Sequence, residues 1–152
     1  MDSLEQKIKD IASEFVGNLG IQADLEVEKQ SDRVVVKILG ENLGILIGFH
    51  GETLESLQLL LSLVVNKKLA PEEWLHVDLD VGGWKGEREE ALRSLVEQAT
   101  TKVKETGQPA SLPPMPASQR RFVHLLFSED SDLEAVSQDE GAERHIVITT
   151  KN

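Results

Sequence analysis

The segment from Gly44 to Leu54 constrains the fold more than any other part of the chain. It reads GILIGFHGETL, so Gly48 and Gly51 lie three positions apart and a long apolar run follows at once. Glycines at this spacing allow a tight turn and a close backbone approach, because neither carries a Cβ. A helix that begins directly after the turn points N–H groups and the positive end of its dipole toward it. The pattern predicts a turn and helix able to receive a phosphate chain, although an ordinary tight turn before a helix has the same signature.

The composition predicts a globular, non-membrane protein. The chain has 152 residues, of which 39% are hydrophobic, and it contains no cysteine, so disulfides, thiol nucleophiles and cysteine metal sites are excluded. The first residues, Met1 to Lys7, are polar and of mixed charge, and the longest apolar run, Leu57 to Val65, is interrupted by Gln58 and Ser62. We therefore expect a cytoplasmic protein with no secretory signal and no membrane insertion.

The net charge of −11 is the main argument against binding of nucleic acid. Up to Val81 the chain has 7 Lys and Arg against 15 Asp and Glu, a net −8, and beyond it 9 against 12, a net −3. Because a protein that binds phosphate usually has a basic field, a nucleic-acid site must be a local patch on an acidic body. We expect modest affinity that depends strongly on salt.

Hydrophobic periodicity predicts an α+β chain of two domains, residues 1–82 and 83–152, joined by a short flexible segment at Gly82 to Gly86. The helix Glu52 to Asn66 is apolar nearly all round, which predicts burial on more than one side. In the first domain the expected order is α-β-β-α-α-β: Leu4 to Leu19, Ile21 to Glu28, Arg33 to Leu39, Asn42 to Ile47, Glu52 to Asn66 and Trp74 to Val81. In the second domain we expect two helices and two strands: Glu87 to Thr106, Gln119 to Phe127 with Ser118 as N-cap, Leu133 to Gln138 and Arg144 to Thr150.

A second cluster with phosphate-binding chemistry lies in the short predicted helix after Ser118, where the sequence reads RRFVH. Arg120 and His124 are four positions apart and share one face. A guanidinium and an imidazole side by side can hold a phosphate through several N–H donors, and Arg121 adds a neighbouring charge. A solvated helix face has the same spacing, so both interpretations stay open.

Taken together and in order, these motifs resemble the bacterial Jag family, also called SpoIIIJ-associated proteins. The segments that carry the resemblance are IGFHGETLESLQ, LVVNK, DV, EREEAL, PM, RRFVH and ERHIVI, which span nearly the whole chain from about Ile21 to Ile148. The resemblance implies a KH domain of type II-like α-β-β-α-α-β order, with a three-stranded sheet and helices on one face. A small α+β R-three-H domain is expected to follow it.

The resemblance also implies where single-stranded RNA would bind. Gly48 and Gly51 are expected to expose backbone N–H groups to the sugar–phosphate chain, while neighbouring apolar side chains wall a groove for unstacked bases. A second group is expected to hold a phosphate further along the strand. The expected site residues are Ile47, Gly48, Phe49, His50, Gly51, Glu52, Thr53 and Leu54 in the first group, and Arg120, Arg121 and His124 in the second.

The chain departs from the family pattern at a few places. Family loops often have two basic residues between the glycines, whereas this chain has Phe49, which can stack on a base or pack, and His50, which supplies a donor. Gln119 replaces a glutamate that often precedes the double arginine. Many members also have an additional N-terminal domain and linker that this sequence does not include, and we expect a regulatory or membrane-associated role to be lost with them. Trp84, beside the joint, is a candidate for stacking on a base or for a domain interface, but a role in packing the joint against a core is favoured.

The sequence contains little that indicates an enzyme or a metal-binding protein. The four histidines lie in separate predicted elements without ligand spacing, and neither a nucleotide-binding fingerprint nor a strained serine elbow is present. We therefore predict no catalysis, metal or cofactor. The leading hypothesis is an RNA-binding regulator linked to the cell envelope or division, partnered by a small single-KH protein or by itself. The alternative is a protein-interaction adaptor that keeps the fold but has weak or no RNA affinity.

Overall fold

A computed structural model describes residues 3–127 and 132–151 of the chain, which divides into two units, Met1–Lys85 and Gly86–Asn152. The helices are α1 Ser3–Asn18, α2 Gly44–Ile47, α3 Glu52–Leu69, α4 Trp84–Thr106 and α5 Ala117–Leu126. The strands are β1 Asp24–Lys29, β2 Val34–Leu39, β3 Val77–Val81, β4 Ala110–Ser111, β5 Leu133–Gln138 and β6 His145–Thr150. The division falls after Lys85, whereas the sequence suggested a boundary after Gly82.

The first unit is built on a three-stranded sheet with strand order β1-β2-β3. β2 pairs antiparallel with β1 and parallel with β3, so that Val36 lies opposite both Val27 and Leu79. A parallel pair requires a crossover connection, which α2 and α3 supply. Alternate side chains of β2, at Val34, Val36 and Ile38, are buried in the core. The predicted α-β-β-α-α-β order and the α+β class are confirmed.

The opposite side of this sheet is charged and predominantly acidic. The Lys37 ammonium lies 2.8 Å from the Glu28 carboxylate, and Arg33 Nη1 lies 2.9 Å from Asp78 Oδ2. The bond from Lys37 holds the pKa of the Glu28 carboxyl below its ordinary value. Asp80 lies opposite Lys37 in the register and adds a further negative charge. This face is therefore unsuited to a polyanion.

Helix α3 is held against the sheet by two side-chain amides. Gln58 Oε1 accepts from the Leu79 N–H at 3.0 Å and from the ammonium of Lys85, whose pKa burial lowers. The buried Asn66 accepts from the Leu75 N–H at 2.8 Å and donates to the Leu75 carbonyl at 3.0 Å. Side-chain amides paired in this way, one of them buried, hold one orientation of the helix, because misplacement would leave their polar groups unsatisfied.

The side chains on the outer side of α3 are more exposed than the sequence predicted. Leu54, Leu61 and Val65 are fully buried, whereas Leu59, Leu60 and Leu63 are 61%, 49% and 47% exposed. The helix contacts both α1 and β3, but the predicted burial does not extend to these three leucines.

The second unit contains a three-stranded sheet with order β4-β6-β5, in which β6 pairs antiparallel with both neighbours. Its core draws on α4, α5 and the central strand, through Leu92, Val123, Ile146 and Ile148. The strands β5 and β6 match the prediction closely. Strand β4 was not predicted, because two residues are too few to produce an alternating pattern.

Both helices of the second unit begin earlier than predicted. α4 starts at Trp84, so the latter part of the expected flexible joint is helical. α5 starts at Ala117, after Pro116 in an extended conformation. The predicted N-cap role of Ser118 is wrong, because Pro116 occupies that position and Ser118 lies in the first turn. Proline suits the position that precedes a helix, since its fixed φ favours extended backbone there.

The two sides of α3 predict opposite responses to truncation. We expect Leu61→Ala to lower the free energy of unfolding by about 2–5 kcal/mol, because it leaves a cavity in a core position. Leu60→Ala, one position away on the exposed side, should cost about 0.5 kcal/mol or less. Urea denaturation of both variants at micromolar protein concentration measures the difference, and similar losses would contradict this orientation of α3.

Candidate nucleic-acid interface

The Gly-x-x-Gly segment forms a 3-10 turn, Phe49–Gly51, between α2 and α3. Gly48 and Gly51 have φ of 71° and 82°, and His50 between them has φ of 54°. A positive φ is easily adopted by glycine but is uncommon for other residues. The chain therefore turns sharply here and presents the side chains of Phe49 and His50 at its tip.

Local packing also requires both glycines. A Cβ at Gly48 would lie 2.1 Å from Thr53 Oγ1, and a Cβ at Gly51 would lie 2.5 Å from Cη2 of the Trp84 ring. The half-buried Trp84 thus packs directly against the loop, at the start of α4. A packing role for Trp84 was favoured from the sequence, but not this partner, because the contact joins residues far apart in the chain.

The backbone N–H groups of the two glycines point to partners within the turn. Gly48 donates to the Gly44 carbonyl at 3.0 Å, and Gly51 donates to the Gly48 carbonyl at 3.4 Å. The Glu52 N–H donates to the Phe49 carbonyl. The expectation that Gly48 and Gly51 offer these groups to a sugar–phosphate chain is therefore wrong.

The loop tip is aromatic and open. Phe49 is 74% exposed, and its ring meets that of His50 edge to face with centroids 4.0 Å apart. Ile45 on α2 is also strongly exposed, while Ile47 is half-buried against the core. An exposed aromatic ring beside apolar surface is the arrangement on which an unpaired base can stack.

The remaining expected residues of the first group have different surroundings. Leu54 is fully buried, so its expected place on a groove wall is corrected to a place in the core. Thr53 is half-buried and lies against Gly48. Glu52 is exposed in the first turn of α3, where its negative charge suits the helix dipole but repels a phosphate.

The residues of the second group lie on α5. Gln119 and Val123 face the core, while Arg121 and His124 are exposed and Arg120 is half-buried. Arg120 Nη1 donates to the Met115 carbonyl at 2.6 Å, which ties the guanidinium to the proline-rich bend. A guanidinium has several N–H donors in a planar fork, so this bond fixes its orientation and leaves donors for a ligand.

Two further arginines, which the sequence analysis did not include, lie next to α5. Arg88 Nε donates to Gln119 Oε1 at 3.0 Å, and the Arg93 guanidinium lies 5.3 Å from the centre of the Phe122 ring. Both come from α4. The one available signal for Arg88 was the neutral Gln119 at a position where family members often have a glutamate. Two arginines on α5 and two on α4 therefore lie on or beside this short helix.

Each group is assembled within its own unit: the loop residues in the first and the α5 residues in the second. Within residues 3–127 and 132–151, no cluster of three His, Asp or Glu side chains could hold a metal ion. In the same ranges, no helix is both long enough and apolar enough to cross a membrane.

Comparison with known families agrees with this division. The family described as KhpA/KhpB, KH domain, matches residues 5–78, and the R-three-H domain matches residues 90–150. Among similar proteins, RNA-binding protein KhpB of Clostridium symbiosum is 33% identical over 97% of this chain and 68% of its own length. The protein of the same name from Bacillus subtilis is 31% identical, over 86% of this chain and 62% of its own length.

A more distant relative extends well beyond the match. RNA-binding protein KhpB of Streptococcus pneumoniae is 23% identical over 90% of this chain but only 41% of its own length. The chain thus spans about two thirds of the two more similar relatives, and less than half of this one.

The contact between Gly51 and Trp84 predicts a coupled effect on stability. We expect Gly51→Ala to destabilise the first unit by about 1–3 kcal/mol, because the new methyl group meets the ring and φ is positive. In a Trp84→Ala background the same change should cost less, since the clash is removed. Denaturation of the wild type, the two single variants and the double variant measures the coupling between the two positions.

A matched control for that cycle is Gly86→Ala. A Cβ at Gly86 meets nothing within 4 Å, and the residue lies in α4, so this change should be neutral or stabilising. If the cost of Gly51→Ala is unchanged by removal of the ring, the ring does not explain the need for glycine.

Proposed function

The chain belongs to the KhpB family, in which a KH domain is followed by an R-three-H domain, and on that premise we propose that it binds single-stranded RNA without catalysis. The observation that carries the proposal is the exposed Phe49 ring on a turn held in place by Thr53 and Trp84. Relatives named RNA-binding protein KhpB, matched along nearly the whole chain, support it.

In this mechanism the first unit binds bases. The Phe49 ring stacks on an unpaired base, and His50 donates a hydrogen bond beside it. Each base stacked on an aromatic side chain contributes about 1–3 kcal/mol, and the contribution depends little on base identity. Because the turn is held by packing, little conformational entropy is lost when the strand binds.

The second unit binds the backbone of the strand. Arg120, Arg121 and His124 contact phosphate, with the guanidinium groups of Arg88 and Arg93 nearby on α4. Binding of the strand at one weak site raises its effective concentration at the other, so the two sites on one chain together bind more tightly than either alone. This compensates for the weak binding expected of a protein whose net charge is −11. The acidic body limits the affinity and makes it sensitive to salt.

We further propose a cytoplasmic role in post-transcriptional control, connected with the cell envelope or division. A small single-KH protein or a second copy of this chain is the proposed protein partner. These roles come from the family resemblance. The competing proposal, a protein-interaction adaptor without useful RNA affinity, draws support from the acidic sheet face and from the exposed leucines of α3.

The loop is tested by replacing its two aromatic side chains. We expect the double variant Phe49→Asp and His50→Asp to bind a labelled single-stranded RNA about tenfold or more weaker at low salt, since a stacking surface is lost and two negative charges are added. Fluorescence anisotropy measures the affinity. Phe49→Ala separates the loss of stacking from the added charge, and Val136→Asp, on an exposed position of β5, controls for acidity alone.

The arginine cluster is tested through salt dependence. Arg120→Ala should weaken binding and reduce the slope of log affinity against log salt by about one, because one phosphate contact is lost. Lys104→Ala removes the same charge from an exposed position on α4 and should change the slope little. Circular dichroism checks that the loss of the bond to Met115 has not unfolded α5. Equal binding by wild type and all variants, or no binding, favours the adaptor.

A further inference from the structure

The guanidinium of Arg88 is held by a neutral partner. Its Nε donates at 3.0 Å to Oε1 of Gln119, a residue of α5 that is only 8% exposed. An amide oxygen accepts this bond as a carboxylate oxygen would, but the amide has no net charge. The bond therefore fixes the orientation of Arg88 and leaves its positive charge uncompensated.

The neighbours of Arg88 along α4 do not compensate its charge either. Side chains three and four positions apart are adjacent on a helix surface, whereas side chains one position apart do not face each other. The residues at the adjacent positions are Trp84, Lys85, Ala91 and Leu92. None of these is acidic, and Arg88 makes no ion pair within residues 3–127 and 132–151. The flanking Glu87 and Glu89 lie one position away, and both are exposed.

The other arginine of α4 that approaches α5 has different surroundings. Glu89 and Glu90 precede Arg93 by four and three positions, and Glu97 follows it by four. None of these carboxylates forms an ion pair with Arg93 among the described residues, but all of them lie within about one turn of it and reduce the positive potential there. Of the two, Arg88 is the one whose charge is left for an anion.

The N–H donors that remain on Arg88 suit a phosphate. A guanidinium has donors on Nε and on both terminal nitrogens, and only the Nε donor is engaged among the described residues. The terminal nitrogens form a planar fork that matches two oxygens of one phosphate group. Arg88 is half-buried rather than enclosed, so a ligand can reach it from solvent.

We propose that Arg88 binds a phosphate group of the RNA strand, and that Gln119 is the positioning residue that orients this arginine and keeps its charge available. The proposal rests on the proposed function, because it adds a contact to the strand that Arg120 holds. Both guanidinium groups are anchored near the same end of α5, since Arg120 donates at 2.6 Å to the carbonyl of Met115, shortly before that helix begins. Groups that are oriented in advance lose less conformational freedom when a ligand binds.

Substitutions of Gln119 separate the charge of Arg88 from its orientation. Gln119→Glu keeps an acceptor for Arg88 but neutralises its charge. We expect it to bind a labelled single-stranded RNA about fivefold or more weaker at low salt, and to reduce the slope of log affinity against log salt by about 0.7 to 1. Gln119→Met removes the acceptor and leaves the charge, so affinity should fall by about threefold while the slope stays at the wild-type value.

Fluorescence anisotropy titrations at several salt concentrations measure both quantities. If Gln119→Glu binds with the affinity and slope of the wild type, the charge of Arg88 does not act on RNA and the proposal is overturned. An equal fall of the slope in both variants also overturns it, because a structural effect of the substitution then explains the loss.

The two arginines of α4 provide a matched comparison. Arg88→Ala should weaken binding by about fivefold or more and lower the slope as Gln119→Glu does, whereas Arg88→Lys should keep the slope but lose affinity, because an ammonium lacks the planar fork. Arg93→Ala removes the same group from the same helix and should have the smaller effect on both quantities. Circular dichroism checks that the helices of each variant remain folded.

The outcomes distinguish this proposal from the proposed function. A wild type that binds RNA while Arg88→Ala binds equally well, or better than Arg93→Ala, overturns the assignment of Arg88 and leaves the RNA-binding function standing. A wild type that does not bind RNA at low salt overturns the proposed function, and the role of Arg88 with it.

Discussion

Parallel pairing of β2 with β3 is the constraint on which the rest of the first unit depends. β1 and β2 form a hairpin through a short turn, but a parallel partner requires the chain to return to the other end of the sheet. The return passes through α2, a tight turn and α3, and its corner is the Gly-x-x-Gly loop. Bonds from Gln58 and Asn66 to β3 and to the segment before it secure this crossover, so the loop is presented by a firmly held scaffold.

Charge is distributed unevenly over the chain, and this distribution determines where a polyanion can bind. The open face of the first sheet carries Glu28, Asp78 and Asp80, which repel phosphate. Around α5, arginines from two helices gather within one small unit. Net charge alone therefore misrepresents the chemistry of the surface, because phosphate responds to nearby charges more than to distant ones once salt screens the latter.

The candidate site was only partly predictable. The spacing of Arg120 and His124 predicted a shared face, which depends only on helical geometry. Gly48 and Gly51 were correctly singled out, but glycine is required there because a Cβ would clash with Thr53 and Trp84. Their N–H groups bond within the turn and are not offered to a ligand. Periodicity also could not tell which leucines of α3 are covered, because a helix apolar nearly all round has no pattern that identifies its inner side.

The sequence by itself determined the order of the helices and of the strands other than β4, the turn between α2 and α3, and the family. These follow from local rules, since periodicity, glycine and proline act on neighbouring residues. Only the tertiary structure decided that Leu54 is core while Leu63 is surface, that Trp84 packs on Gly51, and that Arg88 reaches Gln119. Such contacts join distant parts of the chain, and their geometry is set by how whole elements pack rather than by spacing along the chain.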